Sequence, residues 1–197
     1  MVIIMAYSPR CQGAPMPWRD DHKPRTRHQI LGAAATLFTR HGFKGTTIDD
    51  VMRQAGLTRG AFYAHFASKG ELYAAALRHA ARNNATRLQN ADPRERVLGY
   101  LSEAHRRGED VNCPLACLVS DVAQQDDQVR EAYTRLFGGF VAHCQTAGEE
   151  ARENRRRALQ QAVTMIGGMA IARTLNDDAL AEEVLDACRA LAGIENA

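Results

Sequence analysis

Residues 54–60, QAGLTRG, end one helix and begin another with a single residue between the two signals. Gly56 suits the left-handed backbone that closes a helix, and Thr58 offers a hydroxyl to cap the next. Upstream, Ile48, Val51, Met52 and Ala55 form one short apolar stripe; downstream, Leu57, Ala61, Phe62 and Phe66 form another. Neither stretch is long enough to stay helical in water without packing. The two must therefore cross at the tight turn, which is the helix-turn-helix arrangement.

The flanking segments extend the pattern. Ile30, Leu31, Ala34, Leu37 and Phe38 make a helical stripe that Gly42 ends in a left-handed cap. Thr46 or Thr47 starts the second helix, with Asp49 or Asp50 three residues on. Ser68 starts a fourth, with Glu71 completing a capping box and Lys69 in its first turn. Lys69 there opposes the helix dipole by roughly a few tenths of a kcal/mol, a conflict that a phosphate at the helix end would resolve.

Helical period continues through almost all of the remaining chain, and strand-like alternation is scarce, so the expected class is all-α. Further helices are expected from Ser68 to about Asn90, from Pro93 through Arg107, from Cys113 to Ala123, from Gln128 to about Gly148, from Asn154 to about Leu175 and from Asp178 to about Ala192. Residues 108–112, GEDVN, read as a loop. Residues 1–23 hold three of the six prolines and no sustained period, and are expected to be a flexible extension.

Charge divides the chain. Residues 1–90 carry 13 Lys and Arg against 5 Asp and Glu, whereas residues 91–197 carry 12 against 18, a split hidden by the net charge of +2. The basic half favours a polyanion and the acidic half has another task. No segment reaches the roughly 18 apolar residues of a membrane span, and the chain is expected to be soluble and cytoplasmic. Five cysteines, an odd number with no close CxxC pair, fit reduced thiols better than a disulfide framework. His143 and Cys144 are adjacent, but no spacing matches a zinc signature, so neither metal nor cofactor is expected.

The run from Arg25 to Leu77, RTRHQILGAAATLFTRHGFKGTTIDDVMRQAGLTRGAFYAHFASKGELYAAAL, resembles the DNA-binding domain of the TetR family of bacterial transcriptional regulators, and within it the AcrR-like branch. Ile-Leu-x-Ala-Ala, Leu-Phe, the Thr-Thr-Ile helix start, Ala-Gly and Gly-x-x-Tyr-x-His-Phe-x-x-Lys agree together. The resemblance covers about residues 24–84, under a third of the chain. It implies an all-helical protein with an N-terminal three-helix DNA-binding domain at 24–84 and a helical ligand-binding and dimerisation domain at 85–197. It also implies a homodimer that represses from a palindromic double-stranded operator and is released by a small inducer; activation in place of repression stays open.

On the same resemblance the third helix enters the major groove by its N-terminal end, with Thr58, Arg59, Gly60 and Ala61 nearest the bases. Arg59 is the candidate for a bidentate guanine contact, worth about 1–3 kcal/mol of discrimination. Tyr63, His65, Lys69 and Thr47 are candidates for phosphate contacts, and Arg25 and Arg27 for a sequence-independent, salt-sensitive share. Taken singly, Arg59 also reads as a solvated charge, and Tyr63 and His65 as ordinary surface residues.

The C-terminal half is less specific. Tyr100, Leu118, Phe137, Phe140 and Met165 are expected to line a pocket for a small lipophilic or electrophilic inducer, though such spacing describes any core. MIGGMAIA, residues 165–172, allows close approach of another helix, and Leu180, Val184, Leu185, Cys188 and Leu191 form a stripe; dimerisation through the last two helices and packing within the chain both fit. In VNCPLACLVSD, residues 111–121, Cys113 lies at a helix start where backbone amides lower a thiol's pKa, with Cys117 one turn on. A thiol-sensing repressor is thus an alternative, set against the ordinary burial of Cys as a small apolar residue. An all-helical enzyme is the competing class, but no Ser/His/Asp elbow, paired carboxylates, phosphate loop or HExxH motif is present.

Overall fold

A computed structural model describes residues 22–88, 92–109, 113–146 and 150–193. Those residues form eleven helices and no strand. The first four are α1 (His22–His41), α2 (Ile48–Gln54), α3 (Arg59–Tyr63) and α4 (Lys69–Leu88). Then follow α5 (Pro93–Tyr100), α6 (Glu103–Arg107), α7 (Pro114–Cys117), α8 (Val119–Val122), α9 (Asp127–His143), α10 (Ala151–Ala172) and α11 (Asp178–Leu191). The expected extension at 1–23 lies outside the described residues except for its last two, which open α1.

α4 organises the molecule. Its residues Leu72, Tyr73, Ala74, Ala75, Ala76 and Leu77 are all buried, so this stretch has no wet face. A helix apolar all round needs neighbours on every side. α1 packs on one flank of α4, and α7 and α9 pack on another. The core built on Ile30, Phe38, Phe62, Phe66 and Tyr73 therefore runs on into Leu118, Val122, Val129 and Ala132 without a break. The boundary expected at residue 84 falls inside α4.

A second core joins α5, α7, α10 and α11 around Val97, Leu101, Leu115, Met165, Met169 and Leu185. Gly168 is fixed by packing there, because a Cβ on it would stand 2.3 Å from the Cys188 sulfur. The small residues of 165–172 are thus used at least partly within the chain, between α10 and α11.

Two expected helices are each broken in two. Pro93–Arg107 divides at Leu101, where Arg189 donates two hydrogen bonds to the carbonyl, at 2.6 and 3.0 Å, and Ser102 caps a new helix through His105 N–H. Cys113–Ala123 divides at Leu118, whose φ of −121° and ψ of 13° leave the α region. Between α9 and α10, Asn154 does not open the helix as expected. It lies one turn inside α10, and its side chain bonds the backbone N–H and C=O of Thr146 at 3.1 and 2.5 Å.

Candidate nucleic-acid interface

The turn between α2 and α3 is built as its residues dictate. Gly56 has φ +67°, its N–H bonds Arg53 O at 3.1 Å, and Leu57 N–H bonds Met52 O at 2.9 Å. That pair of bonds is the Schellman motif, which closes α2 with a backbone only glycine adopts cheaply. Thr47 caps the other end of α2 in a complete capping box with Asp50. Phe62 and Phe66, both buried, then pin the five-residue α3 to α1, α2 and α4.

The opposite side of α3 faces water. Arg59, Gly60 and Tyr63 are exposed, Thr58 is exposed with no capping bond from its hydroxyl, and Ala61 and His65 are half-buried. Arg59 is not loose: its guanidinium meets the Asp49 carboxylate at 2.8 Å, and a bond to Tyr63 together with Asp49 raises its pKa above the ordinary value. One face of the fork is thus held on α2, and base contact uses its remaining donors or exchanges Asp49 for a base. Gly60 owes nothing to the interior, since a Cβ there would meet only Thr58 Oγ1, at 4.0 Å. The Tyr63 ring stands edge-on to Phe62 at 5.1 Å. The His65 ring is 6.5 Å from Phe66.

Of the flanking candidates, Arg27, Thr47 and Lys69 have partners inside the chain. Arg25 is exposed on the first turns of α1, while Arg27 lays its guanidinium 4.7 Å from the centre of the Phe66 ring. The Thr47 hydroxyl donates to Asp50 Oδ2 at 2.5 Å while accepting from Asp50 N–H, so a phosphate reaches it only by displacing the carboxylate. Lys69 also has partners inside the chain. Its ammonium sits 4.2 Å from the centre of the Phe43 ring and within reach of the Asp121 charge, while burial lowers its pKa. The ring face and the carboxylate answer the unfavourable helix end before any phosphate arrives. The Ser68 and Glu71 capping is half as expected, since Ser68 accepts from Glu71 N–H but the Glu71 carboxylate bonds Ala67 N–H instead.

Asp121 escaped sequence reasoning. Its Oδ2 accepts from Tyr73 Oη at 2.5 Å and from Phe43 N–H at 3.0 Å, which bolts α4 and the α1–α2 turn to α8. Burial, then the bond to Asp121, pushes the Tyr73 hydroxyl far up and keeps it neutral. Sequence separations of 48 and 78 residues carry no local signal.

On the far side of α4 lies a cavity of about 980 Å³, within the range of small-molecule sites. Tyr100, Phe140 and Met165 line it as expected, joined by Val97, Leu115 and Leu136. Leu118 and Phe137 do not. The break between α7 and α8 puts Leu118 in the core shared with Phe38 and Tyr73, and Phe137 packs among Phe140, Val141 and Ala158. Cys113 is on the wall, with its sulfur 3.5 Å from Tyr100 Oη, and Cys117 packs against the first core instead. The expected low thiol pKa of Cys113 is overturned. Burial raises it, although Tyr100 and the amides of Leu115 and Ala116 pull the other way. Cys117 is pushed up to about 11, again by burial.

The model of the family described as bacterial regulatory proteins, tetR family, matches residues 30–76. The HTH-type transcriptional regulator TtgR of Pseudomonas putida is 31% identical over 138 residues, 68% of this chain and 59% of its own length. The HTH-type transcriptional regulator YfiR of Bacillus subtilis is 27% identical over 128 residues, 61% of this chain and 62% of its own length. The chain thus spans less than two thirds of these curated relatives. The crystal structure of Escherichia coli NemR in its reduced form superposes with a TM-score of 0.67 over 87% of this chain and 96% of NemR at 22% identity, a likeness of fold. No described helix is long and apolar enough to cross a membrane. The Schellman turn after α2, the exposed face of α3 and the match over 30–76 sit on one segment, and by that segment and its relatives the chain belongs to the TetR family of bacterial regulatory proteins.

Proposed function

We propose that this protein is a transcriptional repressor that binds a palindromic double-stranded operator as a homodimer and is released by a small molecule held in the cavity between α4, α5, α9 and α10. The observation that carries this reading is the face of α3. Arg59, Gly60 and Tyr63 are presented to water on a helix whose other side is pinned by Phe62, with buried Phe66 just past its end. A short helix held this rigidly suits insertion of its N-terminal end into a major groove, with Arg59 reading a base edge. Thr58 and Ala61 would stand beside Arg59 and Gly60 near the bases, and Arg25, Arg27, Thr47, Tyr63, His65 and Lys69 would supply the positioning contacts.

Exposed apolar side chains support the dimer. Val163 and Ile171 on α10, and Leu180 and Leu191 on α11, are at least 44% exposed, the last of them 78%. A second copy laying its own α10 and α11 on them would bury the stripe in a four-helix arrangement. Within such a dimer, the two α3 helices are held at a spacing that a ligand in the cavity shifts by binding one arrangement better than the other.

Selection of bound duplexes from a random pool tests the reading. The native protein enriches an inverted repeat. Arg59→Ala relaxes preference at one position in each half-site by about 1–3 kcal/mol. Lys69→Ala weakens all duplexes about equally and flattens the salt dependence by about one unit of slope. No enriched sequence, or a monomer by sedimentation at micromolar concentration, rejects it.

A further inference from the structure

The cavity wall is one-sided in charge. Among its described lining residues are Arg78, Arg82, Arg96, Arg135 and Arg157, and there is no Asp or Glu. Arg96, Arg135 and Arg157 belong to the half of the chain that is acidic overall, and Arg78 and Arg82 reach the wall from the end of the basic half, on α4. Two of the five are already neutralised by carboxylates outside the cavity, Arg135 by Glu131 and Arg157 by Glu153. Arg78 on α4 and Arg96 on α5 are different, because both are half-buried and neither makes a salt bridge among the described residues. A half-buried guanidinium without a counter-ion beside apolar walls is poorly solvated, and an incoming anion offsets that cost. The field of Arg96 is already felt at the Cys144 thiol on the same wall, where it favours the anion, although burial still pushes that thiol up to about 11.

We infer that the cavity takes an amphipathic anion, with an apolar body against Tyr100, Leu136, Phe140 and Met165 and a single anionic head, such as a carboxylate, held by Arg78 and Arg96. Planar guanidinium forks match an oxyanion in two hydrogen bonds each and discriminate against neutral or cationic heads of the same size. The volume of about 980 Å³ suits a body of ten or so carbons with room to spare. Arg78 lies on the helix that starts at Lys69 and carries Tyr73, so an anion drawn to it pulls on the element that holds the reading domain. The inference rests on the proposed ligand-responsive reading and names its ligand class.

Calorimetric titration of the full chain at pH 8 with decanoate, decan-1-ol and decyltrimethylammonium tests it, the three probes sharing one tail and differing in the head. Decanoate is expected to bind at least about tenfold tighter than the alcohol, with the cation weakest. In the Arg78→Gln, Arg96→Gln double variant decanoate falls to the level of the alcohol while the alcohol is unchanged, and in the Arg78→Lys, Arg96→Lys variant most of the preference returns. Equal or better binding of the alcohol or the cation overturns the inference, as does binding of none of the three or a preference that survives the Gln variant. A duplex-selection experiment on the same preparation separates the two readings: DNA selection without decanoate binding removes only the ligand class, and decanoate binding without DNA selection removes only the regulator.

Discussion

Around Phe38, Phe62 and Tyr73 every large ring closes on another, with Phe38 and Tyr73 4.6 Å apart and Phe62 and Phe66 5.9 Å apart, whereas around Tyr100 and Phe140, 5.4 Å apart, the walls leave about 980 Å³ open. The two regions lie on opposite sides of the same helix, α4. On the proposed function, a surface that reads base edges has to be held in one geometry, and the core that supports it is filled. The proposed small-molecule site, by contrast, keeps space that the chain itself does not fill. On that reading the filled side is the fixed tool and the open side is the one that responds.

The sharpest way to break this comparison is to remove one ring from each side. Phe62→Ala empties a site in the filled core and is expected to cost about 3–5 kcal/mol, with loss of DNA binding as α3 detaches. Phe140→Ala enlarges a wall that is already half-open, and less than half that loss is expected, because fewer packing contacts disappear. Thermal and denaturant melts of both variants measure the ratio. Equal losses would mean that the cavity wall is as tightly packed as the reading core.

What was legible in the sequence follows the same division. The reading domain is set by local chemistry: Gly56 with Leu57, Thr47 with Asp50, and the spacing of Phe62 and Phe66 each act within a few residues, so their pattern survives in one dimension. The regulatory half is decided over distance. Arg189 takes the Leu101 carbonyl from 88 residues away and divides α5 from α6, although the apolar pattern runs straight through. Cys113 shows the same limit. Its place before Pro114 is readable and its amide contacts exist, but whether the thiol is buried depends on Tyr100 and on elements far along the chain. Lys69 shows the same limit, since Phe43 and Asp121 meet its ammonium from distant parts of the chain.

A smaller effect is expected where the two regions meet. Asp121→Asn keeps the shape of the side chain but replaces the charged oxygen that the Tyr73 hydroxyl and Phe43 N–H share by a neutral, weaker acceptor. A loss of about 1–3 kcal/mol is expected, or roughly 2–4 °C of melting temperature for each kcal/mol in a protein of this size. DNA binding weakens as well at temperatures where the variant remains folded, because the α1–α2 turn and α4 are no longer tied to α8. An unchanged melting point would show that Asp121 sits at the junction without joining it.

The smallest change in stability is expected at Gly60, where the comparison becomes a matter of what lies outside the chain. The added methyl of Gly60→Ala meets nothing closer than Thr58 Oγ1 at 4.0 Å, and the backbone there needs no positive φ. The fold should tolerate it fully, and alanine's lower entropy cost in a helix raises stability by up to about 0.5–1 kcal/mol. If the glycine exists so that the backbone of α3 approaches a base pair, DNA affinity falls by about tenfold or more while the melting point holds or rises. Opposite movement of the two readouts separates a residue kept for the groove from one kept for the fold. A variant that binds DNA as well as the native protein would put the closest approach elsewhere on α3, at Thr58 or Arg59.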